Sequence, residues 1–219
     1  MLISRFKGVL FDMDGLMLNS EVIYHAAWQQ TIEQLGYRLE PQLYIDLVGR
    51  SNAESERLMR QIFGPAFPLE TFAQQWSQRW QEQVQAQGIP LQPGLLELLD
   101  FLESQAIPKA VGTSSNREEA ELSLKSTELW PRFQAVVTVD DVTAGKPAPD
   151  IFLRAAQKLG YDPAECLVLE DSNAGVQAAT AAGSAVVMVP DLQVPSAVSR
   201  SQALYVCDSL HAVLALLQA

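Results

Sequence analysis

The chain has 219 residues, enough for one large domain or two small ones and too many for a disulfide-stapled miniprotein. Hydrophobic residues make up 48% and charged residues 19%, which supplies a core and argues against wholesale disorder. Fifteen basic against twenty-six acidic side chains leave a net charge of −11, so the long-range field opposes nucleic-acid backbones and anionic membranes as main partners. A small phosphate held by local cations or a metal is compatible with that field. The two cysteines, Cys166 and Cys207, lie in apolar runs and read as buried free thiols of a reducing compartment. No apolar run approaches the ~20 residues of a membrane span. Asp12 and Asp14 cut short the stretch after Arg5 and Lys7 that briefly imitates a signal peptide. A soluble cytoplasmic protein is expected.

The first strand is expected at 8–12 (GVLFD). From about 17 to 91 no strand-like run of comparable quality follows. Helical stripes dominate there instead: Trp28, Ile32 and Leu35; Leu43, Leu47 and Val48; Phe72, Trp76, Trp80 and Val84. The last stripe runs through the Gln-rich stretch, which marks it as an amphipathic helix and not a low-complexity segment. Ser20-Glu21 reads as the cap of the first of these helices. From residue 92 onward, helices and strands alternate. Helices are expected at 94–105, at 117–126 behind Ser115-Asn116, at 149–159 opened by Pro149-Asp150 and stopped by Gly160, and at 173–182 ended by Gly183. Strands are expected at 107–113, 135–139, 166–170, 185–189 and 204–207. They are continuously apolar, as in strands buried on both faces, and the alternation implies a parallel, doubly wound sheet. The expected organisation is an α/β core from residues 1–16 and 92–219, with a helical insert at 17–91.

Four carboxylates fall at strand ends: Asp12 and Asp14 after the first strand, Glu170 and Asp171 at the end of CLVLE. The carboxyl ends of parallel strands form the ligand crevice of such sheets. If the two strands are neighbours, the acids converge, and two unit charges ~4 Å apart repel by about 4 kcal/mol at an effective dielectric of ~20. A divalent cation would offset that repulsion, and oxygen donors without His or Cys point to Mg²⁺. Gly15 lets the chain turn out of the strand. Thr113-Ser114-Ser115-Asn116 closes a strand and opens a helix, a place for an anion as well as for a cap. Lys146 sits in the stiff loop Gly145-Lys146-Pro147-Ala148-Pro149, where its ammonium could neutralise phosphate or carboxylates. In the insert, Arg50 of Gly49-Arg50-Ser51 is either a bidentate phosphate ligand or a surface arginine. His25 and Trp28 have packing as their plainer role, and His25 joins Arg50 as a candidate substrate contact.

In order, Asp12-Met13-Asp14-Gly15, Thr113, Lys146 and Glu170-Asp171 resemble the four motifs of the haloacid dehalogenase superfamily, over nearly the whole chain. The combination DMDG, TSS, GKPAPDIF and LVLEDSNAGVQAA is more specific than any one piece. The chain is most similar to the branch with a helical cap inserted after the first motif, that of β-phosphoglucomutase, pseudouridine 5′-phosphatase and several sugar-phosphate phosphatases. The resemblance implies a Rossmann-like core with a four-helix cap. It also implies Asp12 as the nucleophile that becomes an aspartyl-phosphate and Asp14 as general acid/base, its carbonyl joining a Mg²⁺ shell. Thr113, the Ser114 N–H and Lys146 would hold the phosphoryl group, and Glu170 and Asp171 would complete the metal site. Asn19 departs from the Asp that many relatives carry at the hinge.

The physics fits these roles. A carboxylate attacks phosphorus when cations screen it, and an ester leaving group needs a proton from a second acid. The expected function is a Mg²⁺-dependent phosphatase of a small phosphorylated metabolite, a sugar or polyol phosphate, acting as a monomer. The alternative is a phosphomutase of the β-phosphoglucomutase kind, which needs a second cationic site. The insert contains no lysine, only arginines such as Arg50 and Arg79. A 2-haloacid dehalogenase would need neither Asp14 nor the Glu170-Asp171 pair. A non-catalytic phospho-receiver would need no insert.

Overall fold

A computed structural model describes residues 1–40, 43–44 and 52–219, side chains at 52–55 excepted. In chain order its elements are β1 (Gly8–Phe11), α1 (Glu21–Gln34), α2 (Asn52–Phe63), α3 (Leu69–Gln87), α4 (Leu95–Ser104), β2 (Lys109–Gly112), α5 (Arg117–Ser126), β3 (Ala135–Val137), α6 (Asp150–Leu159), β4 (Cys166–Glu170), α7 (Asn173–Ala181), β5 (Ala185–Met188), α8 (Ala197–Gln202), β6 (Tyr205–Val206) and α9 (Leu210–Gln218). The chain divides into two compact units, Met1–Asn19 with Ile89–Ala219, and Ser20–Gly88.

The first unit is an α/β, Rossmann-like fold. Its six strands run in the order β3-β2-β1-β4-β5-β6, every pairing parallel. β1 and β4 are buried along their whole length, which is why their sequences are apolar without alternation. Helices cover the sheet through single apolar faces. α6 buries Ile151, Phe152, Ala155 and Ala156, and α4 buries Leu95, Leu98, Leu99 and Leu102. Gly112 in β2 lets α6 come close, because a Cβ there would press on Ile151 and Phe152. Pro149 precedes α6, and Gly160, at φ +80°, ends it in the left-handed region.

The last strand differs from expectation. Tyr205–Val206 is a two-residue edge strand whose side chains are exposed, because only β5 flanks it. Cys207, just beyond, is half-buried and not buried; Cys166 in β4 is buried, and both thiols are free. The passage out of and back into this unit is also ordered. Asn19 N donates to Pro90 O at 2.8 Å, Gln92 N donates to Met17 O at 2.9 Å, and Leu18 bridges Leu91. Residues 17–19 and 89–91 therefore belong to the α/β unit, three residues inside the expected insert at each end.

The second unit is helical in its described residues. α1 and α3 hold an aromatic core in which Tyr24 stacks on Trp80 with centroids 5.4 Å apart, and Trp28 meets Phe72 edge-on at 4.9 Å. Phe72, Trp80 and Val84 of the Gln-rich helix are buried, as the stripe implied. Ser20 occupies the position before α1 but does not cap it. Its backbone is already αR, so the hydroxyl is not directed at the first-turn N–H groups and bonds to none of them. No helix among the described residues is long and apolar enough to cross a membrane.

Candidate active site

The central strands set the site. β1 lies between β2 and β4, with Phe11 in register with Val111 on one side and Leu169 on the other. One residue past the Phe11–Leu169 pair come Asp12 and Glu170, and Thr113 follows β2 directly. Asp12 N donates to Leu169 O at 3.0 Å and Thr113 N to Val137 O at 3.0 Å, so both leave their strands on fixed backbone. Lys146 arrives from the loop between β3 and α6. Its ammonium bonds the Asp12 carboxylate and donates to Glu170 Oε1 at 2.7 Å. It also lies 4.8 Å from the centroid of the Phe152 ring.

Asp12, Glu170 and Asp171 each place a carboxylate oxygen within 4.8 Å of the others. Glu170 has no exposed surface, and Asp12 is 6% exposed. Burial pushes the Asp12 carboxyl up to about 7, with Glu170 and Asp14 adding to the rise and Lys146 opposing it. Burial, then Glu170 and Asp12, push Asp171 well above the ordinary aspartate range. Burial alone would lower Lys146, but Asp12 and Glu170 overrule it and hold the ammonium in its charged form. Two buried carboxyls and a half-buried one, against one contacting ammonium among the described residues, make a site short of positive charge. The donor set is all oxygen and compact, so these residues fit a hard divalent cation.

The Asp14 carboxylate lies outside that trio. Ser115 Oγ donates to Asp14 Oδ2 at 2.7 Å, and Ser115 N donates to Thr113 Oγ1 at 3.0 Å. Thr113 is buried and Ser114 exposed. Gly15 turns at φ +81°, and a Cβ there would overlap the Asp171 carboxylate. His25, on α1 in the helical unit, is half-buried and meets the Tyr44 ring edge-on at 4.7 Å. Arg50 lies outside the described residues.

Several residues were not singled out from the sequence. Ser172 donates to Glu170 Oε2 through N (2.7 Å) and Oγ (3.0 Å) while its Oγ accepts from Gly175 N to start α7. A Cβ at Gly175 would overlap the Glu170 carboxylate. Gln92 Nε2 donates to Gly15 O at 2.8 Å and the Gln92 side chain also bonds Asp191, whose carboxyl is raised by burial. An available signal for Asp191 was its position just past β5, the strand beside β4. Ser115 had none of its own, because a hydroxyl before a helix reads as a cap; here Asn116 is the cap, paired with Glu119 in a capping box.

A family model described as haloacid dehalogenase-like hydrolase matches residues 9–189. The chain is 33% identical over 181 residues to a fructose-1-phosphate phosphatase of Escherichia coli, covering 82% of this chain and 94% of that one. It is 33% identical over 185 residues to hexitol phosphatase A of the same organism, covering 84% and 83%. It spans 48% of the length of another relative, a bifunctional riboflavin kinase/FMN phosphatase of Arabidopsis thaliana. Among solved structures, a candidate β-phosphoglucomutase of Thermotoga maritima superposes with a TM-score of 0.81 at 27% identity, over 97% of this chain and 99% of that one.

Proposed function

The chain belongs to the haloacid dehalogenase-like hydrolase family and is a phosphoric monoester hydrolase, and we propose that it uses Mg²⁺ and a phosphorylated Asp12 to hydrolyse a small sugar or polyol phosphate. One observation carries the reading: the Asp12 carboxylate, fixed at the end of β1, bonds Lys146 and shares one compact, largely buried cluster with Glu170 and Asp171.

In this reading an Asp12 oxygen attacks phosphorus, and the electron pair of the breaking P–O bond leaves on the ester oxygen. Asp14 gives its proton to that oxygen. Asp14 then takes a proton from the water that attacks the phosphorylated Asp12, which releases phosphate and restores both carboxyls. Thr113 Oγ, the Ser114 N–H and Lys146 hold the phosphoryl oxygens. Asp12, Glu170, Asp171 and the Asp14 carbonyl would hold Mg²⁺, whose charge stabilises the transferring group when bound. The helical unit serves as the cap, with Arg50 and His25 as its candidate substrate contacts.

A phosphomutase reading is favoured by the likeness to the Thermotoga maritima structure. Against it, residues 17–91 lack lysine, and Arg79 is already bonded to Gln34. The test is a panel of sugar and polyol phosphates, scoring free phosphate and isomerised product with Mg²⁺ and with EDTA. The expected result is phosphate release with Mg²⁺ and none with EDTA. Equal rates in chelator, or isomer without net phosphate, would count against the proposal.

A further inference from the structure

Ser115 is spent in three directions at once. Its N–H donates to Thr113 Oγ1 at 3.0 Å, its carbonyl accepts from Val139 N at 3.3 Å, and its hydroxyl donates to Asp14 Oδ2 at 2.7 Å. Helix capping does not explain that hydroxyl. Asn116 caps α5, accepting from Glu119 N at 2.9 Å, and the Ser115 side chain turns away from the helix. It reaches a carboxylate 101 residues earlier in the chain. Main-chain bonds on both sides fix the Cα from which that hydroxyl departs.

We propose that Ser115 is a positioning residue that aims the Asp14 proton at the leaving-group oxygen, an inference that rests on reading Asp14 as the acid of the first step. A hydroxyl donating to Oδ2 places the transferable proton on Oδ1. In the step, the Asp14 Oδ1–H bond breaks, the proton joins the departing ester oxygen, and the carboxylate left behind keeps the Ser115 hydrogen bond. That bond is stronger to the carboxylate than to the neutral acid, so it favours the product side of the transfer. The Ser115 N–H does a second job. Occupying one lone pair of Thr113 Oγ1, it leaves the threonine proton to point at a phosphoryl oxygen. One residue thereby sets the orientation of both the acid and the phosphate hook.

The test uses leaving groups. An alkyl phosphate expels a strongly basic alkoxide and needs the proton; 2,4-dinitrophenyl phosphate expels a weakly basic phenolate and does not. General-acid catalysis contributes about 10²–10⁴-fold. Ser115→Ala should lower kcat/KM for glycerol phosphate by about tenfold or more, while dinitrophenyl phosphate loses less than about threefold. Ser115→Thr keeps the hydroxyl and should hold the wild-type ratio. The readout is the ratio of the two rates on one preparation, so partial unfolding cancels. Asp14→Ala is run alongside and should show the same selective loss, larger. A ratio unchanged in Ser115→Ala while Asp14→Ala loses it would overturn the role of Ser115 and leave Asp14 as the acid. A ratio lost equally in Ser115→Thr would overturn the hydrogen bond as its cause. A ratio unchanged in Asp14→Ala would overturn both.

Discussion

Glu170 is fully buried, and its two oxygens are divided between two kinds of donor. Lys146 takes Oε1, and the Ser172 N–H and hydroxyl take Oε2. That arrangement exists only because residue 175 has no side chain, since any Cβ there would occupy the space of the Glu170 carboxylate. Gly175 is therefore a residue of the site without touching a substrate. With Glu170 in the proposed magnesium site, Gly175→Ala should displace it and weaken magnesium activation by about 10–100-fold, the loss expected when a ligand loses its support. A magnesium titration of phosphatase activity checks this, and an unchanged half-activation concentration would contradict it. Asp12 and Glu170 were legible as acids ending apolar strands. Gly175 and Ser172 were not, because an N-cap serine and a glycine in an Ala-rich helix have ordinary explanations until Glu170 is placed beside them.

At the scale of elements, an ionic network ties the start of β2 to α4 and to the turn before β3. Lys109 is buried in β2, with Nζ 3.1 Å from Glu103 Oε1. Arg132 Nε donates to Glu103 Oε1 at 2.8 Å, and its Nη2 bonds Glu103 Oε2 at 2.7 Å and Asp100 Oδ1 at 2.5 Å. The Arg132 hydrogen bond, joined by Lys109, holds Glu103 down at about 2 from its ordinary 4.5. A depressed carboxyl stabilises the fold fully above its unfolded pKa. That contribution is lost as pH falls from about 4.5 toward about 2. The Glu103 side chain is 43% exposed, so solvent screening limits the effect to about 1 kcal/mol, or roughly 2–4 °C for a chain of this length. Arg132→Ala should lower Tm by that amount at pH 7 and by progressively less toward pH 3; a deficit independent of pH would refute the linkage. The strands themselves were readable as continuous apolar runs. The edge character of β6 was not, because Leu204-Tyr205-Val206-Cys207 has the same texture as a central strand, and only the sheet order shows that one side lacks a neighbour. The pairing of 17–19 with 90–92 was hidden for a similar reason: isolated bridges leave no periodicity.

For the whole molecule, the parallel sheet order brings together what the sequence scatters. Asp12, Thr113, Lys146 and Glu170 span most of the chain, and they share one edge because β2, β1 and β4 are adjacent. The ordering of the motifs was visible in the sequence; the cross-links among them, above all Ser115 with Asp14, depend on loop conformation that no spacing rule supplies. A net charge of −11 sharpens the problem that a phosphate ester faces in approaching this surface. Lys146 and a divalent cation at the carboxylate trio would answer that problem locally. The measurement that tests the central claim most directly is the identity of the phosphorylated residue. The Asp14→Asn enzyme, which the proposed mechanism makes slow to hydrolyse a phosphoenzyme, is mixed with an aryl phosphate and Mg²⁺, quenched in acid and reduced with borohydride, which converts an acyl phosphate to homoserine. Peptide mapping should find homoserine at position 12 and nowhere else, and none in an Asp12→Asn control. Homoserine at another acid, or phosphate on a serine, threonine or lysine, would contradict the account.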